Sequence, residues 1–158
     1  MDTINGIPAH PLFVHGVVVL VPVAAVMTIL GVVWPAARRR LGFLTPLVAL
    51  VALVMVPLAT SAGEALEKRV PHTDAVERHT RLGEQMIYWV GPLFALSVVW
   101  WVLHDERARE YLASRLHLSP RGRRIVDIVI GAATVIVALG ALVTVYRIGD
   151  SGSRAVWQ

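Results

Sequence analysis

Six histidines and no cysteine limit ligand chemistry in this chain to imidazole and carboxylate donors. Without thiols there is no Cys-ligated zinc, thiolate-bound cluster, disulfide scaffold or thiol catalysis. Neutral imidazole is a good ligand for iron, copper or zinc. Two histidines stand in one short stretch, His10-Pro11-Leu12-Phe13-Val14-His15. Two more, His72 and His79, accompany Arg78, Arg81 and Glu84 in the segment from Pro71 to Gln85. Glu64 precedes that group, and Arg147 and Asp150 follow near the C-terminus. There is no phosphate-cradling glycine motif and no Gly-x-Ser-x-Gly elbow. Ser61 and Ser151 lack an evident base and orienting group, so nucleophilic catalysis finds little support. Ligation of a metal ion or haem is the chemistry these residue types allow.

The elements that must position them are apolar. The chain has 158 residues, of which 56% are hydrophobic and 16% charged. A soluble domain is about half apolar and about a quarter charged. Four continuous apolar runs, about 11–34, 43–62, 83–103 and 125–145, contain no Lys or Arg. Each is close to the roughly 20 residues that cross a bilayer as a helix. The runs are too long for strands and show almost no polar face. The expected architecture is all-α, an integral membrane four-helix bundle formed by residues 1–158 as a single four-span domain. The first run is not a cleavable signal, because its basic cluster, Arg38-Arg39-Arg40, follows it. Prolines 22, 46, 57 and 92 interrupt the first three runs. Ala133, Val137, Gly140 and Thr144 form a small-residue stripe on the fourth, which lets another backbone approach. The five tryptophans lie mostly near span ends, as interfacial belts do.

The arginines set an orientation. The first and third loops hold nine, against six Lys or Arg on the other side, so the positive-inside rule puts both termini outside. The basic balance then belongs to the membrane surface, and a nucleic-acid partner loses its docking face. Fourteen arginines to one lysine suit a G+C-rich bacterial genome, and hence a bacterial inner (cytoplasmic) membrane. His10, His15, His72 and His79 fall at the outer face. His104 and His117 fall in the inner loop as solvated residues, and Asp127 pairs with Arg123 or Arg124.

Local geometry refines the ligand set. Pro11 suits the first helical position. His10 and His15, five residues apart, are rotated by about 140° and cannot share a helix face. Desolvation favours turning His15 into the bundle. Thr73 can cap a helix with Asp74 in its first turn, and Glu77 and Arg81 are spaced as an ion pair. His79, Gly83 and Met86 share a face, with Gly83 leaving room for a bulky neighbour. Two histidines on facing helices can hold a b-type haem. The preferred pair is His15 with His79, with Arg78, Arg81 or Arg147 answering the propionates. The same face could instead hold a transition-metal ion through His10, His15, His79, Glu84 and Asp150. The competing reading is a structural or interaction protein without cofactor, whose histidines only pack and anchor.

The His10–His15 entrance resembles that of a bacterial family of small four-helix membrane proteins, domain of unknown function 2231. Its members share a His-Pro-x-x-Val-His opening of the first helix. The end of the second helix, Thr60-Ser61-Ala62-Gly63-Glu64-Ala65, and a histidine opening the third, His79, are also similar. So is the tail from Arg147 to Trp157, where the family usually has histidine at the place of Asp150. Some relatives carry a Rieske or cytochrome-type domain, which implies membrane electron transfer and a redox partner protein beside the lipid bilayer. No activity follows from the resemblance alone. Asp150 in place of histidine suits a harder metal or a supporting role.

Overall fold

The computed structural model describes residues 3–4, 7–68, 73–115 and 119–157, with side chains described for 10–68, 73–108, 110–111 and 119–153. A two-stranded antiparallel hairpin, β1 (Thr3–Ile4) and β2 (Ile7–Pro8), precedes seven helices. These are α1 (Ala9–Val33), α2 (Pro35–Leu41), α3 (Leu44–Glu67), α4 (Asp74–Gln85), α5 (Ile87–His104), α6 (Glu106–Arg115) and α7 (Pro120–Trp157).

Four stretches are long and apolar enough to cross a membrane: His10–Val33, Leu44–Glu67, Asp74–His104 and Pro120–Ser153. Each expected run lies within one of them to within a residue. The protein is therefore an all-α, multi-pass membrane bundle. Around the bundle, α1 and α5 each pack against α3 and α7, with α1 and α5 on one diagonal. The helices overrun the apolar runs at their polar ends. α4 is polar, yet it continues almost straight into α5 through Met86, whose backbone stays helical.

The start of α4 forms as its residues predict. Thr73 accepts a bond from Val76 N at 3.3 Å and Asp74 lies in the first turn, as the cap pattern requires. Glu77 and Arg81 pair at 3.5 Å. α1 opens two residues earlier than expected, so Pro11 lies inside its first turn, where a missing N–H costs nothing. Helices run through Pro22, Pro57 and Pro92. Gly42 closes the α2–α3 turn at φ +41°, a backbone setting that favours glycine, and donates to Arg38 O at 2.9 Å.

The core is made of small side chains. Val21, Ala24, Ala25, Ala49, Ala52, Ala138 and Ala141 have no exposed area. Lipid tails are as apolar as any side chain, so close packing rather than water exclusion holds such helices together. Gly140 of the α7 stripe serves this purpose, since an added Cβ there would overlap the Trp89 ring. Outside the stripe, a Cβ at Gly131 would lie 3.2 Å from Trp100. Trp89 and Trp100 thus fill the bundle instead of forming an interfacial belt, whereas Trp34 is exposed as a belt residue would be. Trp157 has no described side chain. Buried hydroxyls return their protons to their own helix: Thr28 to Ala24 O, Thr134 to Ile130 O and Ser97 to Phe94 O, each at 2.7 Å.

Candidate functional site

Two of the singled-out histidines meet at the end of the bundle that holds the start of α1 and the ends of α3 and α7. They are His10 and His79, whose ring centroids lie 6.3 Å apart at 87°. His10 projects from the first turn of α1 onto α3. Its Nδ1 donates to the carbonyl of Ala59 at 3.0 Å, an acceptor with no proton to give. His79 projects from α4 onto α7, where its Nδ1 lies 3.0 Å from Ser151 Oγ. That hydroxyl spends its own proton on Ile148 O at 2.9 Å, so it accepts from His79.

In the neutral form of either ring, this arrangement puts the proton on Nδ1 and leaves the lone pair on Nε2. Every buried side-chain nitrogen or oxygen among the described residues has a partner. Among the described residues, neither Nε2 makes a hydrogen bond. A hydrogen bond from Nδ1–H to an oxygen is the usual way a ligating histidine is oriented.

Glycines make the seats. An added Cβ at Gly63 would lie 3.1 Å from His10 Cε1, and one at Gly152 would lie 3.0 Å from His79 Cε1. Each ring rests against a glycine one turn along from the residue whose carbonyl anchors its network, Ala59 on α3 and Ile148 on α7. Ala59, Gly63, Ser151 and Gly152 were not among the candidate site residues. The signal that could have found them was the small-residue character of 60–65 and 148–153, read as seats for rings.

Other candidates lie elsewhere. His15 faces outward from α1 and donates from Nδ1 to Pro11 O at 2.6 Å, on its own helix. Self-satisfaction removes much of the desolvation cost that argued for an inward ring. The structure therefore pairs His79 with His10 and leaves His15 outside. Arg78, Arg81, Arg147 and Glu84 are exposed, with Arg81 held by Glu77. Asp150 is exposed and engaged with a partner of its own. Gly83 has open space beside it and seats nothing. Among the described residues, no three His, Asp or Glu gather as a metal cage. His72 lies outside the described residues.

At the opposite end, His104 is not a solvated loop residue. It ends α5, its Nδ1 bonds Trp100 O at 2.9 Å, and its ring lies 4.3 Å from Trp100. Asp127 approaches His104 Nε2 at 3.9 Å, in place of the expected arginine pairing. His117 is outside the described residues.

No curated protein and no solved structure matches the chain. A family model described as "Predicted membrane protein (DUF2231)" matches residues 6–158. That range covers the His10 entrance, the Gly63 seat, His79 and the Ser151-Gly152 tail, the four segments that converge at the histidine end, and the chain belongs to this membrane-protein family.

Proposed function

We propose that the histidine end is a transition-metal site on the outer side of a bacterial cytoplasmic membrane, with His10 Nε2 and His79 Nε2 as its protein donors. The observation that carries this reading is the paired anchoring: two neighbouring imidazoles, each with Nδ1 3.0 Å from an oxygen of another helix. Two imidazoles on one ion, with metal–nitrogen bonds of about 2.0–2.1 Å, place their ring centroids about 5–6 Å apart. The observed 6.3 Å lies close to that spacing. Two donors leave coordination positions for water or an exogenous ligand, which is how a reactive site differs from a structural one. A copper or iron ion there would supply one-electron chemistry to a redox partner protein. The outer placement is supported by the arginines, which concentrate in the two loops at the other end.

Haem between His15 and His79 has less support, because His15 points away from the bundle. A second reading also has a specific observation behind it. The Nδ1 bonds alone tie α1 to α3 and α4 to α7, so the histidines could serve purely as helix clasps.

The deciding experiment is metal analysis, absorption spectroscopy and Cu(II) and Zn(II) titration of detergent-purified protein. A site that binds Cu(II) or Zn(II), weakens with His10→Ala and with His79→Ala, and ignores His15→Ala supports the proposal. Protein that takes up no metal with every histidine intact leaves the clasp reading. A Soret band that disappears with His15→Ala restores the haem pair.

A further inference from the structure

The arginine-rich end contains a cavity of about 400 Å³ between α1, α2, α3, α5 and α6. Thr28, Thr45 and Ser97 are buried along it, and the Thr28 and Ser97 hydroxyl protons are spent on backbone carbonyls. Trp100 forms a wall, fixed by its Nε1 donating to Gly31 O at 3.1 Å. Arg38 lies over that ring at 5.9 Å from its centroid, a cation–π position that holds the guanidinium at the cavity. Arg39, next on α2, and Arg107, in the first turn of α6, are exposed at the same cavity.

Three guanidinium groups therefore meet two carboxylates, Asp105 and Glu106. Those carboxylates serve α6: Asp105 Oδ1 caps it by accepting from Ala108 N at 3.2 Å, and Glu106 stands in its first turn. The surplus charge at the rim is positive, and Thr45 and His104 complete a lining that carries no further carboxylate. An anion belongs at the rim.

The flank of the cavity says what kind of anion. Gly42 and Trp101 line it, and Phe43 packs on Trp101 at 5.6 Å while its own side faces out. Trp34, Phe43 and Leu44 are between half and three-fifths exposed, beside the basic rim. A charged pocket opening directly onto an apolar, lipid-facing aromatic flank matches an amphiphile, with a head for the arginines and chains for the flank. We propose that this cavity binds the phosphate group of an anionic phospholipid, with Arg39 and Arg107 as principal contacts and Arg38 held in place by Trp100.

The test uses the full chain in neutral detergent, with phosphatidylglycerol, phosphatidylcholine and inorganic phosphate as probes in native mass spectrometry and thermal unfolding. Phosphatidylglycerol should bind in preference to phosphatidylcholine and raise the unfolding midpoint. Arg39→Gln and Arg107→Gln should each weaken it about fivefold. Arg121→Gln, on α7 at the same end but outside the cavity, should leave it unchanged. Equal binding of the two lipids, or equal loss with Arg121→Gln, overturns the proposal. Inorganic phosphate that stabilises the protein as strongly as the lipid overturns it in favour of a free-anion site. If a variant does not survive purification, the unaltered chain decides: phosphatidylglycerol binding should weaken as salt rises, and salt-independent binding overturns the proposal.

Discussion

The two ends of the bundle solve the same packing problem and are left with different residues to spare. At one end, His10 and His79 rest on Gly63 and Gly152; at the other, Trp100 rests on Gly131. In each case a ring crosses to a neighbouring helix, a glycine admits it, and a ring N–H donates to an oxygen outside its own helix; for the histidines glycine and oxygen share one helix, whereas Trp100 is seated on α7 and bonds α1. The indole has a single nitrogen, and its bond to Gly31 O uses it up. An imidazole has two, so the same device leaves one nitrogen with a lone pair. The tryptophan end is a closed lock that holds Arg38 at a cavity. The histidine end is a lock with a donor left over.

The largest effect should separate the ends by stability. Trp100→Ala removes a buried ring and its interhelical bond, and should cost about 3–5 kcal/mol of unfolding free energy in detergent. His79→Ala, which removes a half-buried ring and one neutral hydrogen bond, should cost about 1–2 kcal/mol. If the histidine variant proves the less stable, the ends do not differ as described.

Between them, Gly140→Ala tests the middle layer that both ends rely on. Its methyl would overlap the Trp89 ring, and such overpacking should cost about 1–3 kcal/mol. Combining it with Trp89→Leu should restore part of the loss, because the smaller side chain frees the space. Full additivity of the two changes would show that the ring does not sit on that glycine.

Ser151→Ala sharpens the histidine end. Removing the oxygen that orients His79 should weaken Cu(II) binding by about 10–100-fold, as loss of a ligand-orienting partner commonly does. The accompanying stability change should be only about 1 kcal/mol. A stability loss without any change in metal affinity would reduce the end to a clasp. The smallest effect belongs to His15→Ala. That ring faces outward and is satisfied on its own helix, so both stability, within about 0.5 kcal/mol, and metal binding should be unmoved.

Much of this was legible along the chain. The four spans, the Thr73 cap and the Glu77–Arg81 pair follow from local rules, because each depends on residues within a turn or on a run of apolar side chains. The choice of histidine did not follow. The rotation between His10 and His15 showed that only one could face a given neighbour, but not which. Desolvation favours an inward His15, but Pro11 O lies within reach and satisfies the ring on its own helix. Likewise the small stripe on α7 could be seen, whereas its occupant, Trp89, and the seat of Trp100 on Gly131 could not.

By itself, then, the sequence determined that this is a four-span membrane protein with its arginines gathered at one end, and that imidazole is its best ligand. Those properties are sums over residues or patterns of period 3.6, and need no knowledge of neighbours. Only the tertiary structure decided that His10 and His79 share a site, that Gly63 and Gly152 seat them, and that Trp100 holds Arg38 at a cavity. Each of those facts joins residues tens of positions apart. Their distance is set by how α3, α5 and α7 pack, and no local propensity encodes it.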